Sequence, residues 1–543
     1  MLVRVLAALV LMVSVSVSAA DKTLPLDVLI RGGQIVDGSG APPYLADVGL
    51  RAGKIVRIGR LADVAAQRTI DAAGLTVAPG FVDMMGQTAT PFLDHPESAL
   101  NLLGQGITTI MAGEGASAAP RSPGAKGARW TTMAEYLTLL EKTGIPLNVA
   151  QNVGHTQVRS IVLGSTDRQP SPAELERMKD LVREAMEAGA VGLSTALIYP
   201  PATYARTEEL VALAKVAGEH GGRYFTHMRN EGDQLLEGLE EALQIGLAAG
   251  APVHVFHLKA AGQENWGKME LALARINKAR AAGQQVAADI YPYINNGLGL
   301  RSFVHPRHFA QGHGPFLSRL ADPATRAAIR REMESEPGWE NWFRHVGYDW
   351  NRVVLGSMSS APWSDHNGRS LAEIARALDR DPWDVFFDLL KTSPFAMPQS
   401  MSEDNKIRAM REPFVMFCTD VGPGGSSHPR GHGSMPRVLG HYVRRLGALS
   451  WERAVAQMSA VAADELFAPD RGRIAEGKAA DLVVFDPQRV GDKATFAEPR
   501  AASVGIQYVL VNGQLVFESG AYTGAKPGKV LRGPGYRARR ASE

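Results

Sequence analysis

Apolar and polar residues alternate with a period of two near both ends of this chain, while the middle alternates strand-like and helix-like stretches. Residues 25–78 carry LDVLIRGGQIVDGSG, ADVGLRAGKIVRIG and AAGLTVAPG, short β segments joined by glycine-centred turns. The same texture returns at 471–520, in RGRIAEGKAADLVVFDP and IQYVLVNGQLVFESG. The two ends, 21–78 and 471–543, are therefore expected to pair into one small composite β domain, a β-sandwich. Between them, at 79–470, apolar strand candidates fall near 77–83, 107–112, 147–152, 190–195, 223–227, 252–257, 285–290 and 413–418. Helical periodicity lies between most of them. The clearest helix is 171–188: Ser171-Pro172 with Glu174 makes a capping box, Leu175, Met178, Val182 and Met186 share one face, and Gly189 follows. Eight strands alternating with helices predict an α/β chain built on a closed (β/α)8 barrel.

The stretch before the last strand candidate, about 295–412, is far longer than an ordinary connection between helix and strand. It holds FVHPRHFAQGHGPF and at least two helical patterns, and reads as an inserted lid. The tail 524–543 is glycine-rich and basic, which suggests a surface-bound or frayed segment.

Residues 1–20, MLVRVLAALVLMVSVSVSAA, combine a basic start, an apolar stretch and small residues at the end. That is the make-up of a secretory signal peptide, and it predicts a periplasmic or secreted protein. No later stretch approaches the roughly 18 uninterrupted apolar residues of a membrane span. A net charge of +2, from 58 basic and 56 acidic residues, argues against a nucleic-acid surface. Cys418 is the single cysteine, so the chain has neither an internal disulfide nor a cysteine-built zinc knuckle.

Candidate chemistry gathers at strand ends. RYFTH closes on His227 and APVHVFH on His257, thirty residues later, while PFVMFCTD delivers Asp420. Imidazoles and a carboxylate at the carboxyl ends of parallel strands converge on the barrel face where active sites sit. Lys259 shares the strand face of His257, which sets an ammonium beside the same point. Its charge is expected to await an anion. GEGASA (113–118) lacks the Lys and Ser/Thr of a phosphate loop, and GLSTA (192–196) lacks the final glycine of a nucleophile turn. His155 and the histidines of 305–313 stay unassigned.

The segments THMRNEGD (226–233), HLK (257–259), GLSTALIYPPATYARTEEL (192–210), DIYPY (289–293), HPRGHGSMPRVLG (428–440) and ADLVVFDP (480–487) together resemble the amidohydrolase superfamily, and within it the D-aminoacylase group. The resemblance implies a zinc-dependent hydrolase acting on the amide of N-acyl amino acids, D-configured ones included. Asp420 would serve as general acid and base for a metal-activated water. It further implies that Lys259, Arg430, Tyr199 and Tyr293 hold a substrate's free carboxylate. Two departures matter. Where the superfamily has a His-x-His pair after the first barrel strand, PGFVDMMGQ (79–87) has Met85 and Gln87. In GITTIMAGEGASAAP (106–120), Glu114 takes the position of the metal-bridging cysteine of D-aminoacylases. The implied ligand set is Glu114, His227 and His257, for one Zn²⁺ per chain, with the more buried metal position unfilled. Two other readings remain open: hydrolysis of cyclic amides or dipeptide-like substrates, and a non-catalytic binding protein of the same fold.

Overall fold

The computed structural model describes residues 25–122, 124 and 127–538. The segment read as a signal peptide lies outside the described residues. Eight parallel strands form the barrel: β1 Phe81–Asp83, β2 Ile107–Ala112, β3 Asn148–Gln151, β4 Gly192–Ala196, β5 Arg223–His227, β6 Val253–Val255, β7 Val286–Ile290 and β8 Val415–Phe417. Each of them is buried along its whole length, as expected of strands covered by helices outside and by side chains inside. Successive strands pair in parallel, β7 next to β8 through Ile290 and Phe417, except that β4 pairs with Val153–Gly154 just past β3. The ring closes where Met84 N–H donates to Phe417 O at 3.3 Å. Asp83 strengthens that seam by accepting from Thr419 N–H at 2.8 Å and from its hydroxyl at 2.6 Å. The (β/α)8 reading of the sequence holds.

The helix expected at 171–188 spans Pro172–Ala188, with a capping box on Ser171 and Glu174 and left-handed Gly189 at its end. Met178, Val182 and Met186 are buried on its inner face.

A nine-stranded sheet unites the two ends of the chain. Thr76–Pro79 pairs antiparallel with Leu482–Phe485, Ala78 opposite Val483. One side of this junction carries the N-terminal strands and the other the C-terminal hairpin, and the chain runs from Pro79 straight into β1. The long connection before β8 carries its own apolar core, including Phe303, Trp342, Phe343, Trp350, Trp383 and Phe386. Phe343 stacks on Trp350 at 4.2 Å between ring centroids. A three-stranded antiparallel sheet, Leu298–Gly299, Phe395–Pro398 and Val353–Gly356, sets this segment over the barrel mouth.

Of the two states expected for the tail, surface-bound or frayed, its described part is surface-bound, held there by strand pairing. Val530–Leu531 pairs in parallel with Val149 and Ala150 of β3. Beyond Gln151 the chain continues as Val153–Gly154 and turns to β4 instead. The tail thus fills the gap that the twist opens between β3 and β4 at the amino end of the barrel. Lys529 N–H donates to Asn148 Oδ1 at 3.0 Å, and Gly533 N–H to Gly189 O at 2.9 Å.

Candidate active site

Glu114, His227 and His257 come together at the carboxyl ends of the barrel strands. Each offers one ligand atom within 4.8 Å of those of the other two. Glu114 sits in the turn after β2, between Gly113 and Gly115. Gly115 is required there, because a Cβ would lie 2.5 Å from that of Ala196. His227 is the last residue of β5, and His257 lies two residues past β6 with its N–H on Asp289 Oδ1 at 2.9 Å. Gln87, His257 and Asp420 all adopt left-handed backbone, with φ of 58°, 33° and 52°. Such φ values are costly for residues other than glycine and concentrate at functional sites. Here they turn three strand ends inward on one cavity of about 340 Å³.

Glu114 Oε1 faces His227 Nδ1 at 2.8 Å and His257 Nε2 at 3.3 Å. Burial works against the Glu114 carboxylate, but hydrogen bonds and charge from the two imidazoles hold it well below the usual carboxylate range. Behind the imidazoles lies Glu231, a carboxylate that the sequence reading missed. Its Oε2 is 3.3 Å from His227 Nε2 and its Oε1 is 3.1 Å from His257 Nδ1. One carboxylate therefore backs both histidines. Burial alone would lower the His227 pKa, yet Glu231 and Glu114 raise it to about 9. The signal for Glu231 was its position four residues after His227 in THMRNEGD.

Lys259 does not await an anion, contrary to the expectation from its charge. Its Nζ lies 2.6 Å from Glu231 Oε1 and 2.6 Å from His257 Nδ1, and the side chain is buried. A buried ammonium is costly without a counter-charge, and Glu231 supplies one inside the protein. Lys259 also lines the cavity.

Asp420 also reaches the cavity. Its Oδ2 is 2.7 Å from Arg430 Nη1, and its Oδ1 accepts from Gln87 Nε2 at 2.7 Å. Burial raises the Asp420 pKa, Arg430 pulls it back, and neighbouring Glu114 pushes it up again. Arg430 stacks over Tyr291 at 4.5 Å, and Gly297 leaves it room, since a Cβ there would meet its guanidinium. Tyr199 lines the cavity edge-on to His227, with ring centroids 5.4 Å apart.

Tyr293, grouped with these residues in the sequence, does not line the cavity. Its hydroxyl donates to Asp492 at 3.3 Å, and Arg437 covers its ring. Tyr291 takes the place instead. Strand alternation would put Tyr291 and Tyr293 on one face, but β7 ends at Ile290, and past Pro292 the chain carries Tyr293 away from the cavity. Trp342 and Phe395, from the long connection before β8, complete the wall. Glu340 joins this segment to the site by accepting from Glu231 N–H at 3.0 Å.

A (β/α)8 barrel with a carboxylate and two imidazoles gathered at the carboxyl ends of its strands belongs to the class of barrels built around a metal-binding mouth. The amidohydrolase family model matches residues 68–328 and 352–517, and the chain belongs to that family. A D-aminoacylase of Alcaligenes xylosoxydans xylosoxydans is 34% identical over 524 residues, covering 93% of this chain and 98% of the relative. Among solved structures, an N-acyl-D-glutamate deacylase from Bordetella bronchiseptica, complexed with zinc and a phosphonate inhibitor, aligns with a TM-score of 0.80 at 35% identity. That match covers 94% of this chain and all of the other. A D-aminoacylase aligns with a TM-score of 0.78 at 33% identity over 94% of this chain and all of its own, and is described as having a binuclear metal centre with one-metal activation and second-metal attenuation.

Proposed function

We propose that this protein is a zinc-dependent hydrolase that cleaves the amide bond of N-acyl amino acids, D-configured ones included. The observation that carries the reading is the convergence of Glu114, His227 and His257 within 4.8 Å at the barrel mouth. The donor set fits zinc, which takes imidazole nitrogen and carboxylate oxygen and keeps a position open in catalytic sites. The far nitrogens of both imidazoles face Glu231, the outer carboxylate that metal-bound histidines ordinarily have. One zinc per chain matches one such set. The ion supplies Lewis-acid polarisation of the amide carbonyl and a lower pKa for water.

The remaining chemistry belongs to the chain. Asp420 takes a proton from the attacking water and returns it to the leaving amine. Arg430 braces one of its oxygens, so the other is presented in a fixed direction. Charge supports a substrate with a free carboxylate. Glu114, Glu231 and Asp420 set three negative charges against Lys259, Arg430 and a divalent ion, which leaves one positive charge in the cavity. The relatives named above, a D-aminoacylase and an N-acyl-D-glutamate deacylase, favour the D configuration. Residues 1–20 support export to the periplasm. No helix among the described residues is long and apolar enough to cross a membrane.

The test is amine release from zinc-reconstituted protein on paired N-acyl-D- and N-acyl-L-amino acids, their carboxamides, and cyclic imides. Turnover of the acids, with the D series ahead, is expected. Faster turnover of carboxamides or of cyclic imides would overturn the reading.

A further inference from the structure

Gln87 stands where the superfamily places a metal-binding histidine, yet its carboxamide is engaged on both sides. Nε2 donates to Glu114 Oε2 at 2.8 Å and to Asp420 Oδ1 at 2.7 Å. A carboxamide nitrogen carries two hydrogens and no lone pair to give, so one hydrogen goes to each carboxylate. The reversed amide would set its oxygen against two acceptors, so the network fixes the orientation. Both carboxylates are divided in the same manner. Glu114 turns its other oxygen to the histidines, and Asp420 turns its own to Arg430. The Gln87 backbone is anchored as well, since its carbonyl accepts from Gly113 N–H at 2.8 Å.

Two carboxylates converging on one point repel unless a cation or a pair of donors sits between them. We propose that Gln87 fills the second-metal position with its carboxamide, holding Glu114 and Asp420 apart and limiting this site to one ion. Met85, at the other departing position, reinforces the limit. It is buried in an apolar cluster with Val82, Met84 and Met111, and its thioether is a poor zinc ligand. The proposal rests on the single-zinc reading above and adds to it. Gln87, which lines the cavity, acts here as a positioning residue through its hydrogen bond to Asp420. A further consequence is that excess metal does not slow this enzyme, in contrast to the second-metal attenuation described for the related D-aminoacylase.

Metal content and amide hydrolysis are to be measured together on the full chain over a rising series of free zinc. The wild-type protein is expected to saturate at one equivalent, with a flat activity plateau beyond it. Gln87→Glu keeps the shape but replaces a donor by a ligand, and should take up a second equivalent. Gln87→His should do the same, so loss of folding in one variant leaves the other to read. A second equivalent in the wild type, or one equivalent in every folded variant, overturns the proposal while leaving the hydrolase reading in place. No tight equivalent in the wild type would sink the zinc reading itself. If neither variant folds, the wild-type titration decides: one equivalent with a flat plateau supports the proposal, and two overturn it.

Discussion

Lys406 is the least comfortable charge among the described residues near the site, and replacing it with methionine should stabilise the protein. It lies on the helix Glu403–Met410, is only 3% exposed, and its Nζ finds no hydrogen-bond acceptor. The ammonium sits over the face of Tyr291, 4.4 Å from the ring centroid. Burial, aided by Lys259, pushes its pKa down to about 7 from 10.5, against weaker opposition from Cys418, Glu403 and Glu231. His428 also faces it and is itself held well below its usual value. A drop of that size corresponds to about 5 kcal/mol, at roughly 1.36 kcal/mol per unit. The stacking on Tyr291 returns at most about 2 kcal/mol, so Lys406→Met should gain about 3 kcal/mol at pH 7. The sign follows from the proton count. Between about pH 7 and 10.5 the unfolded chain holds the lysine proton and the native protein does not, so native stability rises with pH through that window. Below pH 7 the whole penalty is present. The advantage of the variant should therefore be largest at pH 7 and below, and should shrink steadily toward pH 10. Urea unfolding of the wild type and the variant, followed by tryptophan fluorescence at pH 6, 7, 8, 9 and 10, measures that difference. A variant less stable than the wild type at pH 7, or a gap that does not narrow with rising pH, refutes the reasoning.

Asp420→Asn should keep its zinc, measured by elemental analysis, while losing about 10²–10⁴-fold in kcat, the usual share of a general acid–base group. Glu231→Gln leaves Lys259 without its counter-charge and weakens the backing of both imidazoles. Zinc affinity should fall about 10–100-fold in competition with a chelator, and a normal affinity would remove Glu231 from the metal site. Ending the chain at residue 527 deletes the strand wedged between β3 and β4. With about 1 kcal/mol for each of five anchors through its backbone, Gly528 N–H to Ile145 O, Val149 N–H to Lys529 O, Lys529 N–H to Asn148 Oδ1, Gly533 N–H to Gly189 O and Arg537 N–H to Glu187 O, stability should drop by about 5 kcal/mol in denaturant. An unchanged unfolding midpoint would show the tail to be dispensable.

The barrel was legible because its strands are short, centred on apolar residues and separated by helices with recognisable caps, such as Ser171 with Glu174. Periodicity reports burial, and in a parallel barrel burial and strand position coincide. The strand pairing of the tail was not legible. Val530 and Leu531 are two apolar residues in a basic, glycine-rich stretch, and pairing across nearly four hundred residues leaves no local trace. Tyr291 and Tyr293 were not separable in the sequence either: they are two residues apart, so strand alternation gives them the same face, and only the path of the chain after β7 ends at Ile290 divides them.

The candidate site was legible in its members and not in their pairing. His227, His257 and Asp420 stood out because each closes an apolar run, and Glu114 because of its place in the family pattern. Residue type also marked Lys259 and Arg430 as cations of the site. Whether a cation is free depends on which carboxylate folds against it: Glu231 reaches Lys259 from another strand end, and Asp420 meets Arg430 only because the chain after β8 folds back. The pairing changes how the cavity can select an anion. An unpaired ammonium would attract any carboxylate that reached it, with or without zinc. Here Lys259 is matched by Glu231 and Arg430 by Asp420, and without a divalent ion the protonated His227 matches Glu114, so the cavity carries no net charge. The ion, which takes His227 as a neutral ligand, adds one positive charge. Affinity for a substrate carboxylate should therefore depend on zinc even for contacts that zinc does not make.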